Sequence, residues 1–163
     1  MLTDNRLFRA LCVLALSGAL VAFTGCGGSD NKSSSGSGGG SVADYKTGAE
    51  KAANDFKNSA QAASAKVSSA TAPADKVAGL EALKASVTQA ADDFAALNPP
   101  ANLKTDNAEL VQEFRDLATT VDDVETALKN NDQQKAAAAL PKLTSLQSKI
   151  GATIARIQQK VGA

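Results

Sequence analysis

Apolar and small residues recur three and four positions apart through most of the chain, the spacing that lays them along one face of an α-helix. The first such run is Val42, Tyr45, Ala49, Ala52, Phe56, Ala60, Ala63, Val67 and Ala70. It opens on Ser41 with Asp44 three residues later, the arrangement of a capping box. Thr71-Ala72-Pro73 interrupts it, with the proline well placed to open the next helix. The second run, Val77, Leu80, Leu83, Val87, Ala90, Phe94 and Leu97, ends at Asn98-Pro99-Pro100, because a residue before proline disfavours the α region. A third follows through Leu103, Asn107, Leu110, Phe114, Leu117, Val121, Val124 and Leu128 to Asn130-Asn131. Asp132 is an apt N-cap for a fourth, which continues through Ala136, Leu140, Leu143, Leu146, Ile150, Ile154, Ile157 and Val161.

Helices at about 42–70, 74–97, 101–129 and 132–161 are therefore predicted, each roughly 35 to 45 Å long. The turns between them are short, which makes consecutive helices antiparallel neighbours. The expected fold is all-α, an antiparallel up-down-up-down four-helix bundle over residues 42–163. A three-helix domain with a detached first helix is the alternative. Alanine dominates the seam of that first helix and buries little area per turn, so it is expected to dock loosely or to depend on a partner.

Charge adds a register. Glu109, Asp116 and Asp123 recur every seven residues in the third run, and Lys135, Lys142, Lys149 and Arg156 do so in the fourth. In a hairpin turning near Asn130, Asp123 is expected to face Lys135, Asp116 to face Lys142 and Glu109 to face Lys149, as charges flanking a coiled-coil seam do. A second reading gives the basic row to an anionic partner or lipid headgroup. Exposed pairs contribute only about 0.2 to 1 kcal/mol each, so their value lies in choosing the pairing.

The segment before the helices has a different character. Arg6 and Arg9 precede a nearly all-apolar stretch from Ala10 to Ala22, and Phe23-Thr24-Gly25-Cys26 closes it. This is a charged n-region, a short h-region and a processing site. The apolar run from Leu7 to Phe23 falls below the roughly 20 residues that span a bilayer, which disfavours an uncleaved anchor.

Phe23-Thr24-Gly25-Cys26 resembles the lipobox of bacterial lipoproteins, Thr24 and Gly25 filling its two small positions and Cys26 its invariant one. Phe23 departs from the usual aliphatic residue. The resemblance covers the first 26 residues and implies removal of 1–25, diacylglyceryl transfer to the Cys26 sulfur, and acylation of the freed amine. Each buried methylene then contributes about 0.8 kcal/mol, so several acyl chains on one residue give stable anchoring. It also implies export to the cell membrane, or to the outer membrane of a two-membrane cell, since Gly27 stands where an aspartate retains many lipoproteins inside. Cys12 leaves with the signal, so the mature chain holds only Cys26 and no intramolecular disulfide. Residues 26–41 form the lipidated cysteine and a linker. Its Gly27–Ser41 stretch has no apolar side chain and cannot bury enough surface to fold. As a flexible leash it spans roughly 20 Å.

Composition narrows the chemistry. Removing 1–25 takes away Arg6, Arg9 and Asp4, leaving 15 basic against 16 acidic side chains, so no nucleic-acid partner is expected. Histidine and tryptophan are absent. Triads with an imidazole base, zinc-protease helices, c-type haem attachment and Glu-x-x-His di-iron sites are thereby excluded. Asp92-Asp93 and Asp122-Asp123 look like carboxylate pairs, but neighbours on a helix point about 100° apart and do not converge. Asn107 occupies an apolar seam position, where it is a ligand contact, a register-setting core amide or an exposed first-turn residue. Pro141 inside the fourth run removes a donor, and a kink or break near Ala137 is expected. No catalytic residue, cofactor or metal is expected. The functional expectation is a membrane-anchored, non-enzymatic interaction or structural module of the cell envelope that makes protein or surface contacts, with an envelope protein as candidate partner; the alternative is a small-molecule or lipid-binding cavity between helices.

Overall fold

The computed structural model describes residues 40–162. The expected signal, Cys26 and the linker up to residue 39 lie outside the described residues. Four helices follow in order: α1 (Val42–Ser69), α2 (Pro73–Ala95), α3 (Lys104–Lys129) and α4 (Gln133–Gly162). They pack consecutively, α1 on α2, α2 on α3 and α3 on α4, as an antiparallel four-helix bundle. Among the described residues, α1 and α4 do not close on each other to the same degree.

Local chemistry sets each boundary. The Ser41 hydroxyl accepts the Asp44 amide at 3.0 Å and caps α1, satisfying one of the donors that a helix start leaves over. Pro73 opens α2, where its missing N–H costs nothing. After Ala95 the chain passes Asn98-Pro99-Pro100, and Ala101–Leu103 make a turn rather than the expected first turn of helix. Leu103 is fully buried at the head of α3, so an apolar anchor starts this helix where a polar cap is absent.

The α3–α4 turn is the most determined of the three. Asn131 takes the left-handed conformation at φ 53°. Its amide donates to Leu128 O at 3.1 Å and that of Asp132 to Ala127 O at 2.7 Å, the paired closure of a Schellman motif, in which asparagine tolerates what most residues do not. Asp132 Oδ1 then accepts the Lys135 amide at 3.0 Å and caps α4. That backbone hydrogen bond, aided by the Lys135 side chain, holds the Asp132 carboxyl below its usual range. Of the kink or break expected near Ala137, the break is not found: α4 runs unbroken through Pro141. Pro141 is exposed, so its ring and the carbonyl it leaves unpaired face no packed neighbour that would enforce a break.

Phe114 centres the core. Phe56 of α1 meets it edge-on at 5.2 Å, and Phe94 of α2 stacks on it at 5.7 Å. Leu80, Val87, Leu110, Val121 and Val124 are buried along the same core. The expectation that α1 docks loosely is corrected. Ala49, Ala52, Ala60, Ala63 and Val67 are all buried. A Cβ on Gly79 of α2 would lie 2.5 Å from Val67 Cγ2 and 3.0 Å from its backbone nitrogen. Small residues give little area each, but they let two helices approach until the backbones nearly touch, and the lost area is recovered as close packing.

Candidate functional site

The described chain enters the bundle against the α2–α3 turn. A Cβ on Gly40 would stand 2.1 Å from the Asn98 carbonyl oxygen, and one on Gly48 2.5 Å from Leu97 Cδ2, so the start of α1 is pressed onto the end of α2. One turn further, Tyr45 is 1% exposed and donates its hydroxyl to Asn107 Oδ1 of α3 at 2.9 Å. Asn107 Nδ2 donates to Phe94 O at 3.0 Å, a carbonyl in the last turn of α2 that also accepts the Leu97 amide at 3.3 Å. One amide thus ties three helices at one end. Of the readings open for Asn107, the register-setting core amide is the one observed. Burial pushes the Tyr45 phenol up to about 12, and the charge of Asp106 adds to it.

Beside this knot lies a charged cluster between α3 and α4. Buried Asp106 takes Lys160 Nζ at 2.6 Å and Arg156 Nε at 3.6 Å. Arg156 also pairs with Glu109. Its Nη2 donates to Thr153 Oγ1 at 2.9 Å, and Thr153 Oγ1 donates to Glu113 Oε1 at 3.3 Å. Glu113 Oε2 is buried with no partner.

These pairs correct the expected register. Glu109 meets Arg156 rather than Lys149, and Lys135 pairs with Asp132 of its own turn at 3.3 Å rather than with Asp123. Asp116 accepts Gln112 Nε2 at 2.8 Å instead of Lys142. At Glu109 the acidic row is thus met by the basic residue one heptad further along α4 than expected. The physical reason is the turn. Asn130 to Asp132 are consumed by the Schellman closure and the cap, which moves the hairpin's centre toward α4.

A second cluster joins α2 to α3 nearer the other end. Glu125 is buried and receives Lys129 Nζ at 2.6 Å and Lys84 Nζ at 3.0 Å. Lys84 also reaches Asp122 and Lys129 reaches Glu81. Burial alone would raise the Glu125 carboxyl; the hydrogen bonds from Lys129 and Lys84 outweigh it and hold it below its usual range.

The sequence reading missed this cluster, along with Asp106, Glu113 and Tyr45. Its one available signal was charge inside an apolar stripe, since Asp106, Glu113 and Glu125 each adjoin a seam residue. The adjacent carboxylate pairs do not act as pairs: Asp122 turns to Lys84 while Asp93 accepts Gln89 Nε2 at 2.8 Å. No group of three or more residues able to hold a metal ion occurs among the described residues. Cys26 lies outside them. No family model matches the chain, and no curated protein or solved structure matches it either.

Proposed function

We propose that the chain is an exported lipoprotein, anchored through acyl chains on Cys26, whose tethered bundle makes non-enzymatic contacts with a protein of the cell envelope. The observation that carries this reading is the passage from a charged start through a short apolar run to Phe23-Thr24-Gly25-Cys26. Three features of the bundle support it. Helix begins at Val42, directly behind the glycine- and serine-rich stretch. No described helix is long and apolar enough to cross a membrane. Val42 is the sole large hydrophobic exposed among the described residues, leaving a surface of mixed charge and amide groups suited to a polar protein contact.

Anchored in this way, the bundle presents the α2–α3 turn and the end of α4 toward the membrane. The turns at 70–72 and 130–132 point away from it. Intact mass of membrane-extracted protein is expected to equal residues 26–163 plus lipid, with Cys26→Ser abolishing both cleavage and membrane retention. A mass beginning at Met1 without lipid would overturn the reading. In-cell crosslinking is then expected to capture a discrete protein that the Cys26→Ser chain loses.

One observation favours the alternative of an apolar ligand between helices. α1 and α4 do not pair closely, and Phe56, Leu140, Ile154 and Val161 on these two helices are only partly buried at the edge of the core. Co-purifying lipid or metabolite in place of a captured protein would select it.

A further inference from the structure

Asp106, Glu109 and Glu113 of α3 meet only Arg156 and Lys160 of α4 in direct contact, so the cluster holds one carboxylate more than it holds cations. Lys160 goes to Asp106, and Arg156 divides between Asp106 and Glu109. Glu113 is the one left over. It is 6% exposed, its Oε1 has only the long hydrogen bond from Thr153, and its Oε2 has none. Arg156 Nη2 donates to the Thr153 hydroxyl, which stands between it and Glu113 in the hydrogen-bond chain. The charges acting most on Glu113 are Glu109 on its own helix and Arg156 and Lys149 on α4; none of those comes from α1 or α2.

A buried carboxylate oxygen without a donor is among the costlier groups a core can hold, and a neutral acid in the same place costs far less. One proton on Glu113 also balances the cluster's charge. We infer that Glu113 is a proton-sensing latch in the α3–α4 pairing, taking up a proton on acidification and holding α4 more tightly when it does. α4 pairs closely with α3 alone among the described helices, so this seam governs how firmly α4 is held. The inference does not depend on the lipid anchor.

Burial pushes the Glu113 carboxyl above the ordinary glutamate range. The Thr153 hydrogen bond opposes this, Glu109 adds to it, and Arg156 and Lys149 oppose it. With the folded-state value raised, the stabilising contribution is complete below the ordinary glutamate value and is lost as pH rises through the folded-state value. Glu125, held low, behaves in the opposite sense, losing its contribution as pH falls. A global unfolding curve mixes the two, so the readout has to be local.

The experiment is a carbon-13 titration of glutamate carboxyls in the full chain, with Glu113 assigned by its absence in Glu113→Gln, and hydrogen exchange of α4 amides alongside. The Glu113 midpoint is expected above that of the exposed glutamates. Corrected for intrinsic rates, α4 exchange is expected to slow several-fold as pH falls from neutral to the ordinary glutamate range, while Glu113→Gln stays slow at both ends. A midpoint in the ordinary range, or a pH dependence that survives in Glu113→Gln, would overturn the latch. Thr153→Val removes the single donor while keeping the side chain's shape and is expected to raise the midpoint further. A midpoint that stays or falls counts against it.

Discussion

The α1–α2 and α3–α4 hairpins solve the same problem with opposite materials. In the first, alanines and Gly79 bring the backbones together until a Cβ at position 79 would overlap Val67. In the second, the larger side chains of Leu143, Leu146, Ile150 and Ile157 fill the seam from α4, and Asp106, Glu113 and Thr153 are buried as well. Closeness without bulk leaves no room for charge; a seam of larger side chains does. The difference accounts for Asp106 and Glu113, while Glu125, the third buried carboxylate among the described residues, faces α2 and is held there by Lys84.

The contrast makes opposite demands on substitution. Ile157→Ala should cost about 4 kcal/mol through the cavity it leaves, read as a shift in the denaturant midpoint. Gly79→Leu should cost about 3 kcal/mol by overpacking, although leucine is the better helix former by roughly 1 kcal/mol. A neutral Gly79→Leu would show that the hairpins do not differ as described. Asn107→Ala comes next in size, at about 2 kcal/mol, because it strands the buried Tyr45 hydroxyl and removes one of the two donors to the Phe94 carbonyl. Lys51→Ala, which removes an exposed pair within α1, should change stability by less than about 0.5 kcal/mol.

The end joined by Asn107 can also be followed by pH. Tyr45 is the chain's one tyrosine and there is no tryptophan, so phenolate absorbance reports it alone. Its midpoint should fall near about 12 in the folded protein and near the ordinary value of about 10 in urea. The associated stability is complete below about 10 and is lost as pH climbs through the folded-state value. Asp106→Asn should lower the folded midpoint; an unchanged midpoint would remove Asp106 as a cause.

Helix count, order and most boundaries were legible because periodicity, caps and prolines are local signals. Ser41, Pro73, Asn98-Pro99 and Asp132 each act within a few residues of where they stand. Register was not legible to better than one heptad, because a seven-residue repeat looks the same after a shift of seven. Only the turn geometry around Asn131 chooses between the alternatives. The tightness of α1 was misjudged because an alanine count measures area and says nothing of the distance that alanine permits. Glu113 and Asp106 escaped for a related reason: on one helix they read as flanking charges, and it takes the packed α4 to bury them. Cys26 was read from its own short motif and owes nothing to the fold.

The place where the chain enters has a mechanical consequence. In the anchored arrangement proposed above, a tether leaving at Gly40 would pull α1 downward along its axis, while a partner gripping the turn at 130–132 would pull the opposite end upward. Such a load slides the helices past one another instead of peeling them apart. Sliding must break the Gly79–Val67 interlock, the Gly48–Leu97 contact and the Tyr45–Asn107 bond together, not in sequence. Pulled from these two ends, the bundle should therefore withstand more force than the same bundle pulled apart at one end.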